Sequence, residues 1–226
     1  AYIALKNPDV QFYVCDINRA RIDRWNSDSL PIFEPGLDEV VKRTRGVNLH
    51  FTCDVENAVR ASSVIFIGVN TPTKTYGIGA GFASDTTYWE SAARSIKKFA
   101  DGDKIVVNKS TLPVGSGDKL DAILNNGSRF KFTVLSNPEF LAEGTAMKDL
   151  ESPDRVVIGC DDRATDGVAA AMSVAALYGW VPEERIVIVN RNSAELVKLA
   201  SNAMLAQRVS SINTLAELCS RTGADI

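Results

Sequence analysis

Histidine is nearly absent from this 226-residue sequence: His50 is the only one. A histidine-based catalytic triad or zinc site therefore has little material to draw on, and His50 reads as an incidental strand residue. Cysteine is also scarce. Cys15, Cys53, Cys160 and Cys219 are scattered without metal-ligand spacing, so no metal is expected. Three of them sit in or beside strand-like runs, where cysteine behaves as a small hydrophobe. A reducing, cytoplasmic setting fits best. No apolar run approaches the roughly 20 residues that span a bilayer, and Ala1 to Asn7 do not read as a signal peptide. The formal charge of −3 gives no electrostatic case for nucleic acid or an anionic membrane. Repeats, low-complexity tracts and flexible linkers are missing as well.

What is present is an alternation. Strand-length apolar runs occur at Gln11 to Cys15, Leu49 to Thr52, Val64 to Val69, Lys104 to Val107, Phe132 to Leu135, Arg155 to Gly159 and Arg185 to Val189. Helical patterns fall between them, at 19–25, 37–44, 55–60, 85–99, 118–125 and 164–178, and a helix tail opens the chain. Runs such as Val64-Ile65-Phe66-Ile67 are apolar throughout, as in a parallel strand covered on both faces. The fold class is therefore α/β, a Rossmann-like doubly wound parallel sheet. Alternation stops near residue 190, and a helix runs from Ser193 to about Arg221, with Asn192 and Glu195 spaced as a capping box. The expected division is 1–190 for the sheet domain and 191–226 for the start of a long central helix.

Two features point to a site. Asp16 closes the first strand, where an acid in a doubly wound domain hydrogen-bonds a dinucleotide's adenosine ribose and disfavours a 2′-phosphate. A structural acid is the alternative. Counting back about 20 residues from Asp16 passes residue 1, so the first strand and glycine loop of such a domain are expected to lie outside this sequence. Gly77-Ile78-Gly79-Ala80-Gly81 and Gly115-Ser116-Gly117-Asp118-Lys119 lack the context and spacing of phosphate loops. The second feature is Ser136-Asn137-Pro138-Glu139-Phe140-Leu141-Ala142-Glu143-Gly144-Thr145, which begins where a buried strand runs out. Proline cannot continue the strand, and open α/β sheets bind ligands at such carboxyl ends. The alternative is a solvated loop bearing two surface acids.

Seven segments together resemble the UDP-glucose/GDP-mannose dehydrogenase family, and its UDP-glucose-oxidising, animal-type branch in particular. They are Val14-Cys15-Asp16-Ile17-Asn18 with Arg21, Leu30 to Leu37, Val69 to Thr75, Lys109 to Val114, Asn137 to Thr145, Ser152 to Arg155, and Glu195 to Leu199 with Asn202. They cover essentially the whole chain in order. The resemblance implies a four-electron oxidation of UDP-glucose to UDP-glucuronate with two NAD, through a cysteine-bound intermediate. A covalent intermediate cannot escape and divides one hard reaction into easier steps. It also implies self-association through the central helix.

By the same resemblance, Asp16 and Arg21 would hold the adenosine end of NAD. Val69, Asn70, Thr71, Pro72, Thr73, Ser110, Thr111 and Leu112 would line the cofactor, and Glu143 would reach its nicotinamide side. Glu139, Phe140, Leu141, Ala142, Glu143, Lys198 and Asn202 would meet the substrate. Glu139 is the implied acid–base group; Lys198, Asn202 and Thr111 complete the implied catalytic set. Lys198 and Asn202 are four apart and share a helical face. Their apolar surroundings predict a buried helix, a solvated face being the alternative. No cysteine present matches the family's nucleophile, so the sequence is read as an internal fragment, inactive by itself. A dehydrogenase for GDP-mannose or a UDP-N-acetylhexosamine, and a non-catalytic scaffold, are the competing readings.

Overall fold

The computed structural model describes residues 1–226. Seven strands carry the architecture: β1 (Phe12–Cys15), β2 (Leu49–Thr52), β3 (Val64–Ile67), β4 (Lys104–Asn108), β5 (Phe132–Ser136), β6 (Val156–Cys160) and β7 (Ile186–Asn190). Nine helices accompany them: α1 (Tyr2–Lys6), α2 (Arg19–Trp25), α3 (Leu37–Thr44), α4 (Val55–Ala61), α5 (Thr87–Phe99), α6 (Ser116–Asn125), α7 (Ala146–Glu151), α8 (Thr165–Ala176) and α9 (Arg191–Thr222).

The core follows from the two-residue strand period. Val106 and Val107 are neighbours on β4, yet they enter different clusters; Val134 and Leu135 on β5 divide the same way. Val106 and Val134 meet α5 and α6, which supply Trp89, Ala93, Ile96, Leu120 and Leu124. Val107 and Leu135 meet α8, which supplies Ala170, Ala171 and Val174. The α5 contacts fall at 89, 93 and 96, a helical stripe that Ala100 continues just past the helix end. Covering both faces explains why these strands read as continuous apolar runs. Burying one such large side chain stabilises the fold by about 1.5–3 kcal/mol.

The single parallel sheet expected from sequence is modified twice. Hydrogen bonding separates a two-stranded sheet, β1-β2, from a five-stranded one, β3-β4-β5-β6-β7. Within each sheet the strands through β5 run parallel, β1 with β2 and β3 with β4 with β5. Secondly, β6 pairs antiparallel with β5, through Ser136 and Gly159, while β7 returns parallel to β6. The connection from β5 to β6 explains the reversal. Its helix α7, read as loop from sequence, buries no residue, so it does not lie on the sheet as a crossover helix would.

The long helix starts two residues earlier than expected. Its cap is Asn190, whose side chain accepts from Ser193 N–H, and not the Asn192–Glu195 pair. It approaches β6 closely because residue 159 is glycine: a Cβ there would lie 2.5 Å from Ala194 Cβ.

Candidate functional site

The site grows from the carboxyl ends of β3, β4 and β5. After β3 the chain leaves through Val69 to Thr73; after β4 it leaves through Lys109 to Leu112. Side-chain hydroxyls join the two segments. Ser110 Oγ donates to Val69 O at 2.7 Å, and Thr71 Oγ1 donates to Thr111 O at 2.8 Å. Lys109 N–H donates to Ile67 O at 2.9 Å. Val69, Thr71, Ser110 and Thr111 are thus gathered at one edge. Thr73 forms an antiparallel bridge with Ser84, and Asp85 N–H donates to Pro72 O. Asn70, Pro72 and Thr73 are exposed. Leu112 is buried against the α5–α6 core and also lines the small cavity beside Ser110 and Thr111.

Beyond β5 a buried polar network fixes the turn. Asn137 N–H donates to Asn108 O at 2.9 Å. Asn137 Nδ2 donates to Val157 O at 2.8 Å, and Tyr178 Oη donates to Asn137 Oδ1 at 2.7 Å. Burial, then the charge of Glu139, raises the Tyr178 phenol well above its ordinary value, so it stays a donor. Such a network leaves Pro138 and Glu139 a defined exit. Glu139 is half-exposed and pairs with Lys109, Nζ to Oε2 3.6 Å.

Lys198 closes the cleft from α9. It lines one small cavity together with Lys109, Thr111, Ser136, Pro138 and Glu195. Its ammonium stands 5.5 Å from the Phe140 ring centre, and the Arg155 guanidinium stands 5.9 Å from the same ring. Each cation–π contact contributes about 0.5–1 kcal/mol. Burial pushes the Lys109 ammonium below its ordinary pKa; Glu139 opposes the shift and Lys198 adds to it.

Other expected residues are not drawn in. Asn202 is exposed, as is every residue from 201 to 215. The helix carrying Lys198 was expected to be buried all round. Instead it is packed only on its first turns, because no other element of the chain reaches its distal part. Glu143 is exposed at the surface of the loop. Ala142 is held by its backbone N–H to Asp149, 3.2 Å, and Leu141 is half-buried. None of the four cysteines lines the cleft, and all are free thiols.

Three further residues shape the site: Lys109, Glu195 and Glu34. Lys109 pairs with Glu139. Glu195 is 4% exposed and accepts Gly115 N–H and Gly117 N–H at 2.7 Å each, capping α6 and not its own helix. Glu34 accepts Gly144 N–H at 2.9 Å and fastens the loop after β5. The partners of Glu195, 78 and 80 residues away, are not legible in the sequence.

At the far edge, Asp16 ends β1 and accepts Arg21 Nη1 at 2.6 Å and Asn18 N–H at 2.8 Å. Each carboxylate oxygen keeps a lone pair for a further donor, which suits a ribose hydroxyl. A parallel α/β sheet, an acid at the end of β1, and a polar cleft at the strand ends define a dinucleotide-binding domain of a dehydrogenase.

The chain belongs to the UDP-glucose/GDP-mannose dehydrogenase family. Residues 1–181 match the family's NAD-binding domain, and residues 192–226 match its central domain. The chain is 57% identical over 229 residues to UDP-glucose 6-dehydrogenase 1 of Oryza sativa subsp. japonica, covering all of this chain and 47% of that protein. It is also 57% identical over 228 residues to UDP-glucose 6-dehydrogenase 3 of Arabidopsis thaliana, with the same coverage. These relatives are from plants and do not bear on the animal-type resemblance. Among solved structures, a UDP-glucose dehydrogenase from Pyrobaculum islandicum matches with a TM-score of 0.83 at 35% identity, over 94% of this chain and 48% of that one. A GDP-mannose dehydrogenase from Pseudomonas aeruginosa matches with a TM-score of 0.86 at 28% identity, over 99% and 50%. The chain spans about half the length of the curated relatives it matches. No helix is long and apolar enough to cross a membrane.

Proposed function

We propose that the whole protein, with this chain as its NAD-binding half, oxidises the C6 alcohol of UDP-glucose to the carboxylate of UDP-glucuronate in the cytoplasm. The observation that carries this reading is the cleft at the β4, β5 and α9 junction, where Lys109, paired with Glu139, and Lys198 line one small volume. NAD, when bound, accepts the hydride from carbon. Asp16 and Arg21 would hold its adenosine end, and the Val69–Thr73 and Ser110–Leu112 edge would line it. Glu143 would approach the nicotinamide as the loop meets ligand.

The chemistry of the remaining residues follows their charge. Glu139 takes or returns a proton at the reacting oxygen or its water. Lys198 offers an ammonium to the oxyanion that develops at C6. Asn202, one turn on, would supply a neutral donor, and Thr111 a hydroxyl. Phe140, Leu141 and Ala142 would form the sugar-facing wall. The cysteine-bound intermediate belongs to this reading, and its thiol would come from outside these 226 residues, since no cysteine here reaches the cleft. The 226-residue chain alone would then not complete the reaction.

Identity to the plant UDP-glucose 6-dehydrogenases supports UDP-glucose over GDP-mannose or a UDP-N-acetylhexosamine. Turnover of the whole protein on the three nucleotide sugars, followed by NADH release, is the test. Preferred turnover of UDP-glucose is expected. No NADH release with any of them, alongside absent NAD binding by calorimetry, would favour a non-catalytic scaffold.

Self-association through α9 is part of the same proposal. Leu205, Val209, Ile212, Leu215 and Leu218 are each at least half exposed, along one half of the helix. An apolar face of this extent is costly in water, and a second copy of the chain would cover it.

A further inference from the structure

Lys109 is a lysine that the fold holds largely out of water. Its backbone is tied to the end of β3 through Ile67 O, and its side chain keeps only 25% of its exposure. A lysine in that position needs a counter-charge. Two carboxylates border the cleft. Glu195 is committed to the N–H groups of Gly115 and Gly117. Lys198, the other charged neighbour, is itself a cation. Glu139 is therefore the one ion partner Lys109 has.

The dependence runs in both directions. Glu139 lies on an irregular segment between β5 and α7, and its side chain is 46% exposed. It forms no ion pair except that with Lys109. Released from that contact, its carboxylate would turn outward, because full hydration favours the ion. Lys109 is anchored on a strand end, which fixes a side chain better than a loop does.

We propose that Lys109 is the positioning residue of the site: it holds the Glu139 carboxylate at the cleft shared with Lys198 and presents it to the reacting carbon instead of to solvent. This rests on the acid–base reading of Glu139 given above. Lys109 acts through Glu139 and needs no contact with substrate of its own.

A double-mutant cycle in the whole protein tests it. The variants are Lys109→Met, Lys109→Arg, Glu139→Gln and the Lys109→Met/Glu139→Gln pair, each measured for kcat, KM for NAD and for UDP-glucose, and Tm. Lys109→Met should lower kcat on the order of 10²-fold, the scale of a misplaced catalytic group, with KM for NAD and Tm unchanged. Lys109→Arg should recover most of the loss. The double variant should be no slower than Glu139→Gln alone. Losses that multiply, or a Lys109→Met enzyme with the parent's kcat, overturn the positioning role while leaving Glu139 as acid–base group. Full turnover by Glu139→Gln overturns both.

Discussion

Glu195 Oε1 accepts the backbone N–H of Gly117 at 2.7 Å, while its Oε2 accepts that of Gly115 at the same distance. One carboxylate on α9 thus caps the start of α6, and it does so three residues before Lys198. The helix that carries the ammonium and the loop that carries Thr111 are fastened at one point. An anion at a helix N-terminus is favoured by the unpaired N–H groups and the helix dipole.

Glu195→Ala would leave two buried donors unpaired and lower stability by about 2 kcal/mol or more, measured by denaturant unfolding. The pH dependence has a definite sign. Burial is the largest influence on Glu195 and raises its carboxyl above 4.5; the two N–H donors and Arg191 oppose it. A group raised in the folded state contributes stability below its unfolded pKa and loses it as pH rises through the folded value. The parent should therefore lose Tm relative to Glu195→Gln as pH rises above 4.5. A parallel pair of Tm curves would contradict this.

Gly159 admits α9 to the sheet. A Cβ there would lie 2.5 Å from Ala194 Cβ and 3.0 Å from Arg191 Cα. Gly159→Ala should cost about 1–3 kcal/mol through overpacking. Thermal unfolding gives the size of the loss, and Gly102→Ala, which meets nothing within 4 Å, is the control.

Tyr178→Phe removes the donor to Asn137 Oδ1 and leaves a buried acceptor unpaired. A loss of about 1–3 kcal/mol is expected. Hydrogen exchange should show the effect spreading to Glu139 through the turn. Unchanged protection from 136 to 145 would mean the turn holds without the phenol.

Arg21→Ala removes the partner of Asp16 at the end of β1. The pair is exposed, so stability should change by less than about 1 kcal/mol. NAD affinity should fall roughly tenfold, about 1.4 kcal/mol, as Asp16 loses its orientation. Calorimetric titration with NAD measures it; an unaltered Kd would remove Arg21 from the cofactor site.

Leu205→Glu with Ile212→Glu places charge in the exposed apolar face of α9. Sedimentation velocity on the whole protein should show dissociation to smaller species. Persistence of the parent's oligomer would assign that contact to another surface.

The residues themselves determined the layers. Apolar runs such as Val64 to Ile67, and the helical spacing of Trp89, Ala93 and Ile96, are local periodicities, and burial on both sheet faces is their direct consequence. Asp16 at a strand end and Glu139 after a proline break were legible for the same reason: a strand's end is marked within a few residues. Tertiary structure alone decided which of them meet. Glu195 finds its partners 78 and 80 residues away, and Lys109 finds Glu139 across a strand boundary. The reversal of β6 and the split into two sheets also depend on pairing between distant segments. Leu112 shows both levels: its motif marks it as a candidate cofactor contact, and only the closed fold sets it against α5 and α6 while it also lines the cavity beside Lys198. Periodicity is written into adjacent residues, but the choice of partner for a charge is made only when the chain has closed around it.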